Sequence, residues 1–318
     1  MAVEAIASHT IGGTSVSTAA KFHPPSLSSK IRRLSPPRPW AAGRTSALTL
    51  QDAARSIASL ILAGTVVLTT LGGCGTVSGT DRTQLNMYSV DQEISLGDEA
   101  YREMLAGVDT VDEGPRYRMV VEVSDRIAAA ARRLHPEIAD RFDWEVVLIQ
   151  DDAVVNAWAL PGGKMAVYTG ILPITRTPDG LAAVMGHEAA HAIARHGGEN
   201  LTRQGLVSLV AIGASIASDP DDRELVAAAA GAYGLLGEPA FSRQQETEAD
   251  ELGILLAADA GYDPRESISV WTRMGALGGE PPEFLSTHPN SRTRIENLQA
   301  LMPAAMEIRR RRLEAGMP

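Results

Sequence analysis

Residues 181–193 constrain this chain more tightly than any other stretch. Ala182, Ala183, Val184, Met185, Ala189, Ala190, Ala192 and Ile193 leave a helix there apolar on nearly every side, and such a helix belongs inside a core. Yet His187, Glu188 and His191 sit in its middle. Buried ionisable groups need partners, so the fold must bring polar groups from elsewhere to this helix. Its start is marked by Thr177 as N-cap and Pro178 at the first helical position. The pattern predicts that it runs to about His196 and stops at Gly197-Gly198.

Within the helix, His187-Glu188-Ala189-Ala190-His191 is an HExxH pattern, a zinc-hydrolase signature. Residues four apart share one helix face, so both imidazoles can reach one metal ion. Glu188, rotated by about 100°, can face water beside that metal without ligating it, and so act as general base. A second segment, Glu246-Thr247-Glu248-Ala249-Asp250, again places two carboxylates four apart. Alone it would read as a solvated charged face. Beside HExxH, Glu246 supplies the third protein ligand of a catalytic zinc, and Asp250 accepts a hydrogen bond from a liganding histidine. Glu248 points about 200° away from Glu246. The longer HExxHxxGxxH pattern is excluded, because Ala194 and Gly197 stand where it needs Gly and His. His196 is off the ligand face and is expected to cap the helix end or bind a neighbour. Ser286-Thr287-His288-Pro289, with Arg294 beyond it, could place a histidine and an arginine beside a developing oxyanion; by itself that pattern is commonplace.

Charge separates the front of the chain from the rest. Residues 1–80 hold seven of the 29 Lys and Arg but only two of the 39 acidic residues, Glu4 and Asp52. The remainder is strongly acidic, which argues against nucleic-acid binding. Arg55, then an apolar run from Ile57 to Leu71, then Leu71-Gly72-Gly73-Cys74 form a secretory signal pattern. Leu, two small residues and Cys resemble a bacterial lipobox, with Cys74 as the lipidated residue. A plain membrane anchor is the rival reading, since the uncharged stretch is long enough to span a bilayer. Residues 1–50 are basic, Ser-rich and nearly free of acid, and imply either a start downstream of Met1 or an organelle transit peptide. With Cys74 the single cysteine, there is neither an intramolecular disulfide nor a Cys-based zinc cluster.

Residues 75–87 read as a polar tether. Helical periodicity marks Asp91–Leu105 and Arg116–Leu134. Trp144–Ile149, Val154–Leu160 and Lys164–Thr169 read as three strands of a small antiparallel meander, turned by Pro161-Gly162-Gly163. Leu206–Ala217, Leu225–Leu236 and Ser242–Ala260 read as helices. Asp263-Pro264-Arg265-Glu266 reads as a capping box, and a last helix starts near Asn290.

Asn156–Gly163, Thr169–Leu172, HEAAH at 187–191, Ser242–Gly253 and Ser286–Pro289 with Arg294 together resemble peptidase family M48, the zinc endopeptidases that include HtpX and the CAAX prenyl endopeptidases. The nearer likeness is to its envelope lipoprotein and periplasmic branch, of LoiP and BepA type, and to the mitochondrial Oma-type proteases. The resemblance implies a mainly α domain with a small antiparallel β-sheet, an α+β fold of gluzincin type. It implies one Zn2+ per chain on His187, His191 and Glu246, with Glu188 as base and Asp250 behind the ligands. His288 would assist the transition state or, in a latent form, occupy the open metal position; Arg294 would aid the oxyanion. The strand opening at Gly162, Gly163, Lys164, Met165 and Ala166 would receive substrate by strand addition.

The sequence therefore leads to these expectations. Residues 1–74 target the protein, 75–87 tether it, 88–305 form the metallopeptidase domain, and 306–318 are a basic tail. The protein is expected to be a zinc endopeptidase that cuts unfolded or misassembled envelope proteins, with a chaperone-like lipoprotein bearing a latent zinc site as the alternative. It is expected on the periplasmic face of a bacterial envelope, attached to the outer membrane through lipidated Cys74 or an N-terminal anchor. Organelle targeting stays open.

Overall fold

The computed structural model describes residues 74–217, 241–277, 283–288 and 292–316. Contacts divide the chain into units 1–56 and 57–318, and the described residues all belong to the second. Two strands, β1 (Cys74–Thr76) and β2 (Thr83–Leu85), are followed by helices α1 (Val90–Met104) and α2 (Gly114–Leu134). Next come β3 (Glu145–Ile149), β4 (Ala157–Leu160) and β5 (Lys164–Tyr168), then α3 (Pro178–Ile193) and α4 (His196–Ala217). The described chain closes with α5 (Arg243–Asp259), α6 (Arg265–Gly275), α7 (Glu283–Thr287) and α8 (Arg292–Glu314). The fold is mainly helical with small sheets, as the sequence led us to expect.

Side-chain caps mark the starts of α1, α3 and α5. Ser89 and Gln92 close a capping box on α1, and Ser242 and Gln245 close another on α5. Thr177 accepts from the Gly180 amide at the head of α3. The expected box at Asp263 does not form: Pro264 is the N-cap, Asp263 accepts from the Arg265 amide, and Glu266 pairs with Arg273.

The three-stranded sheet is mixed rather than an antiparallel meander. Its order is β3-β5-β4, with β3 parallel and β4 antiparallel to β5. Pro161-Gly162-Gly163 makes the only tight turn of the three strands, between β4 and β5, with both glycines at positive φ (92° and 83°). Residues 150–156 instead carry the chain past β5 to its far side. Lys164, Met165 and Ala166 therefore lie in the central strand, paired on both edges. With Gly162 and Gly163 in the turn, residues 162–166 offer no edge to a substrate. The free edge nearest α3 belongs to β4.

Helix α3 is the buried centre, packed against α2, α5, α6 and β4. Leu181, Ala182, Val184, Met185, Ala189, Ala190 and Ile193 are all buried. Small residues let α3 and α5 approach closely. A Cβ on Gly186 would stand 2.7 Å from the Gly253 carbonyl oxygen, and one on Gly253 would stand 2.8 Å from the backbone of His187. This contact sets the face carrying His187 against the face carrying Glu246 and Asp250.

Three boundaries differ from expectation. Helix α3 ends at Ile193, two residues before Arg195, which sits at φ 61°, and α4 begins at His196; Gly197 and Gly198 lie inside α4. Residues 75–87 are no free tether. They hold the β1–β2 hairpin, where Arg82 pairs with Glu199 on α4 and Glu248 on α5. Residues 306–314 continue α8, and Arg309 and Arg312 donate to the carbonyls of Gly261 and Asp259. The apolar run 57–71, the helix expected at 225–236 and the helix start at Asn290 lie outside the described residues. Among the described residues, no helix is long and apolar enough to cross a membrane.

Candidate metal centre

The α3–α5 contact brings two helical i, i+4 pairs face to face. His187 and His191 come from α3, Glu246 and Asp250 from α5, and His288 from the residue just after α7. One ligand atom each from His187, His191, Glu246 and His288 lies within 4.8 Å of every other, and all four residues are buried. The Nε2 atoms of His187 and His191 are 3.1 Å apart, and His187 Nε2 is 3.2 Å from His288 Nδ1. Glu246 Oε1 is 2.9 Å from His288 Nδ1 and 3.5 Å from His191 Nε2, and its Oε2 is 3.6 Å from His187 Nε2.

These separations fit a divalent metal ion. Four ligands at zinc–nitrogen or zinc–oxygen bond lengths in a tetrahedron stand about 3.3 Å from one another. The tautomer of His187 suits a metal ligand. His187 Nδ1 faces Asp250 Oδ1 at 3.1 Å, and a carboxylate only accepts, so Nδ1 carries the proton and Nε2 offers a lone pair. That lone pair is aimed at the space shared with His191 Nε2 and the Glu246 carboxylate, where a bound cation would sit.

The electrostatics agree. Burial pushes the His187 imidazole down against the pull of Asp250, and pushes His191 well down against Glu246. Both shifts favour the neutral form that a ligand must have. Burial would raise Glu246, but hydrogen bonds with His191 and His288 hold it well below the usual carboxylate range. Burial raises Glu188 to about 7, with His288 opposing. The Glu188 carboxylate lies 3.4 Å from His288 Nε2 and faces the backbone of Ala159 in β4.

Of the residues singled out in the sequence, His187, Glu188, His191, Glu246, Asp250, His288 and Arg294 gather here. Asp250 backs His187, as the spacing implied. Arg294 differs from the oxyanion donor expected of it. Its Nε and Nη2 grip Asp250 at 2.7 and 2.6 Å, its Nη1 lies 2.6 Å from Glu246, and its guanidinium stacks 3.6 Å over Trp271. Its visible contacts hold Asp250 behind His187 and the ligand carboxylate of Glu246 itself. Gly162, Gly163, Lys164, Met165 and Ala166 are not at an accessible edge, as the sheet order dictates, and Lys164 is tied to Asp143 and Glu145. Phe241 and Phe284 pack on the imidazoles of His191 and His288, with centroids 3.9 and 4.6 Å apart. Helical periodicity missed these two aromatics, because the chain around each reads as a loop.

The sequence model of peptidase family M48 matches residues 117–302. The mitochondrial metalloendopeptidase OMA1 of Saccharomyces cerevisiae is 33% identical over 251 residues, covering 72% of this chain and 69% of the relative. The human mitochondrial metalloendopeptidase OMA1 is 33% identical over 248 residues, 72% of this chain and 46% of the relative. A putative beta-barrel assembly-enhancing protease of Vibrio cholerae is 29% identical over 231 residues, 70% of this chain and 45% of the relative. The chain thus spans about two thirds of the yeast relative and under half of the other two. The bacterial-envelope localisation is corrected by these matches: similar proteins of fungi, a plant and animals are named mitochondrial, and the bacterial relatives are less similar. The lipid anchor at Cys74 rests on the lipobox-like Leu71-Gly72-Gly73-Cys74, and these matches add nothing to it.

Proposed function

The chain belongs to peptidase family M48, a family of peptide-bond hydrolases, and from that premise we propose that it is a zinc-dependent endopeptidase acting on unfolded or misassembled proteins in mitochondria. One observation carries the reading: four buried ligand atoms within 4.8 Å of one another, with the Glu188 carboxylate beside them. His187, His191 and Glu246 would hold zinc, which supplies, when bound, the Lewis acidity that polarises a peptide carbonyl and acidifies water. Glu188 takes a proton from the attacking water and delivers it to the leaving amine. Burial raises its carboxylate toward neutrality, and its place beside the ligand atoms suits a group that exchanges protons with water there.

Substrate is held by β4. Tyr168 donates its amide to the Asn156 carbonyl, so by antiparallel alternation Ala157 and Ala159 turn their backbone groups to the free edge. An extended chain paired there lies next to Glu188, and backbone pairing tolerates many side chains. For location, the relatives named mitochondrial and the basic, acid-poor residues 1–50, a transit-peptide composition, support the same compartment.

Position 288 favours a second reading, a latent site in a chaperone-like protein. His288 Nδ1 stands among the ligand atoms and can itself fill the open coordination position. Digestion of unfolded casein decides between them. Internal cuts that vanish on zinc chelation are expected; release of terminal residues only, or no cleavage even by His288→Ala, overturns the endopeptidase. Import of a reporter carrying residues 1–80 into isolated mitochondria is expected, and its exclusion overturns the location.

A further inference from the structure

We propose that His191 is set for metal binding by a relay of positioning residues, His196, Glu248 and Arg82, that ends on the amino-terminal β1–β2 hairpin. The inference rests on reading the cluster as a metal centre. His191 Nδ1 lies 2.9 Å from His196 Nδ1. His196 Nε2 lies 3.1 Å from Glu248 Oε2. That carboxylate accepts from Arg82 Nε at 2.7 Å, and its other oxygen accepts from the Thr80 hydroxyl at 3.1 Å. The Arg82 guanidinium is completed by a bidentate pair with Glu199 at 2.7 and 2.8 Å.

The donor and acceptor roles along this line are forced. A metal on His191 Nε2 leaves the ring's proton on Nδ1. His196 Nδ1 must then accept, so the His196 proton sits on Nε2 and donates to Glu248. Each member fixes the tautomer of the next, and the buried carboxylate at the end strengthens His191 as a donor to the metal. His196 is fully buried, as a link without solvent contact should be.

The backbone is built to make the link. On an unbroken helix His196 would stand about 140° round from His191. The left-handed residue Arg195, at φ 61°, breaks α3 and folds His196 back beneath His191. An arginine in that region carries a steric cost. It is held there by its guanidinium, which donates to Glu93 at 2.8 and 3.1 Å and to the Tyr88 carbonyl at 2.7 Å.

Three measurements on the purified full chain test the relay: zinc affinity by chelator competition, the absorption spectrum of the cobalt-substituted protein, and amide exchange with and without zinc. Glu248→Gln is expected to weaken zinc binding about tenfold. Arg82→Ala is expected to weaken it several-fold, with a shifted absorption spectrum of the cobalt-substituted protein. Glu199→Gln, which removes the charge of the other partner of Arg82 and leaves Glu248 in place, is expected to change zinc affinity less than twofold. Binding couplings are reciprocal, so zinc removal is expected to speed exchange in residues 76–85 of the wild type but not of Glu248→Gln. Glu248→Gln binding zinc as wild type does, or Glu199→Gln matching Arg82→Ala, overturns the relay. Should Glu248→Gln fail to fold, zinc-independent exchange in the wild-type hairpin overturns it equally. Wild type that takes up no zinc overturns the metal centre itself, and so separates the two failures.

Discussion

His187 and His191 sit one turn apart on the same buried helix, yet the protein backs them differently. Behind His187 stands a carboxylate in direct contact: Asp250 at 3.1 Å, gripped by Arg294 from α8. Behind His191 the carboxylate is one imidazole further out: His196, then Glu248, gripped by Arg82 from the hairpin. Both lines end on an arginine that ties the ligand shell to another element. The difference follows from helix geometry. Asp250 is four residues from Glu246, on the same face of α5. Glu248 is two residues on, about 200° round, too far to touch a ligand without a spacer. A second imidazole is a rigid spacer with one donor and one acceptor, so it passes the carboxylate's influence along.

The largest effect is expected at Glu188, which belongs to neither line. Glu188→Gln should lower casein cleavage by about 10² to 10⁴-fold while leaving zinc content, by elemental analysis, unchanged. Zinc loss in that variant would mean that the base and the ligand supports are not separable. Next comes the comparison itself. Asp250→Asn and Glu248→Gln should both weaken zinc, Asp250→Asn toward the upper end of about 10 to 100-fold and Glu248→Gln toward the lower. Chelator competition on the two proteins checks the order. Glu248→Gln costing more would show that distance from the ligand does not grade the effect.

The same asymmetry explains what the sequence could reveal. The His187 side was legible because Asp250 supports its ligand across one regular helix face, and i, i+4 spacing reports such faces directly. The His191 side was not. Periodicity put His196 off the ligand face, and the turn that brings it back depends on Arg195 in a left-handed conformation, for which an arginine gives no warning. Arg82 lay in a segment too polar and short to read as structure, and its partners are more than a hundred residues away. The sheet failed for a related reason: three strands in succession suggest a meander, but β3–β5 pairing is set by where residues 150–156 cross. Caps and helix starts, which depend on neighbours in sequence, came through at Thr177 and Ser242.

Gly253 offers a smaller test that acts on the α3–α5 contact beneath both lines. Gly253→Ala places a methyl 2.8 Å from the His187 backbone. Overpacking of this kind costs about 1 to 3 kcal/mol, and a fall in Tm of several degrees is expected. Because the contact lies directly at His187, zinc affinity should fall with it. A variant that melts as wild type does would mean that the helices can part without loss, and that their close approach does not set the site.

The smallest effect is expected at the far end of the longer line. Thr80→Val removes one hydroxyl donor from Glu248 Oε1 and keeps the side chain's shape, with Arg82 and His196 still on the other oxygen. The carboxylate stays paired, so its charge and its hold on His196 persist. Zinc affinity should drop by no more than about threefold, within what a single lost hydrogen bond to a charged group allows, and the same change should be invisible at Arg294 on the opposite flank. An effect as large as that of Glu248→Gln would mean that Thr80, rather than the guanidinium of Arg82, orients the carboxylate, and the two lines would no longer end alike.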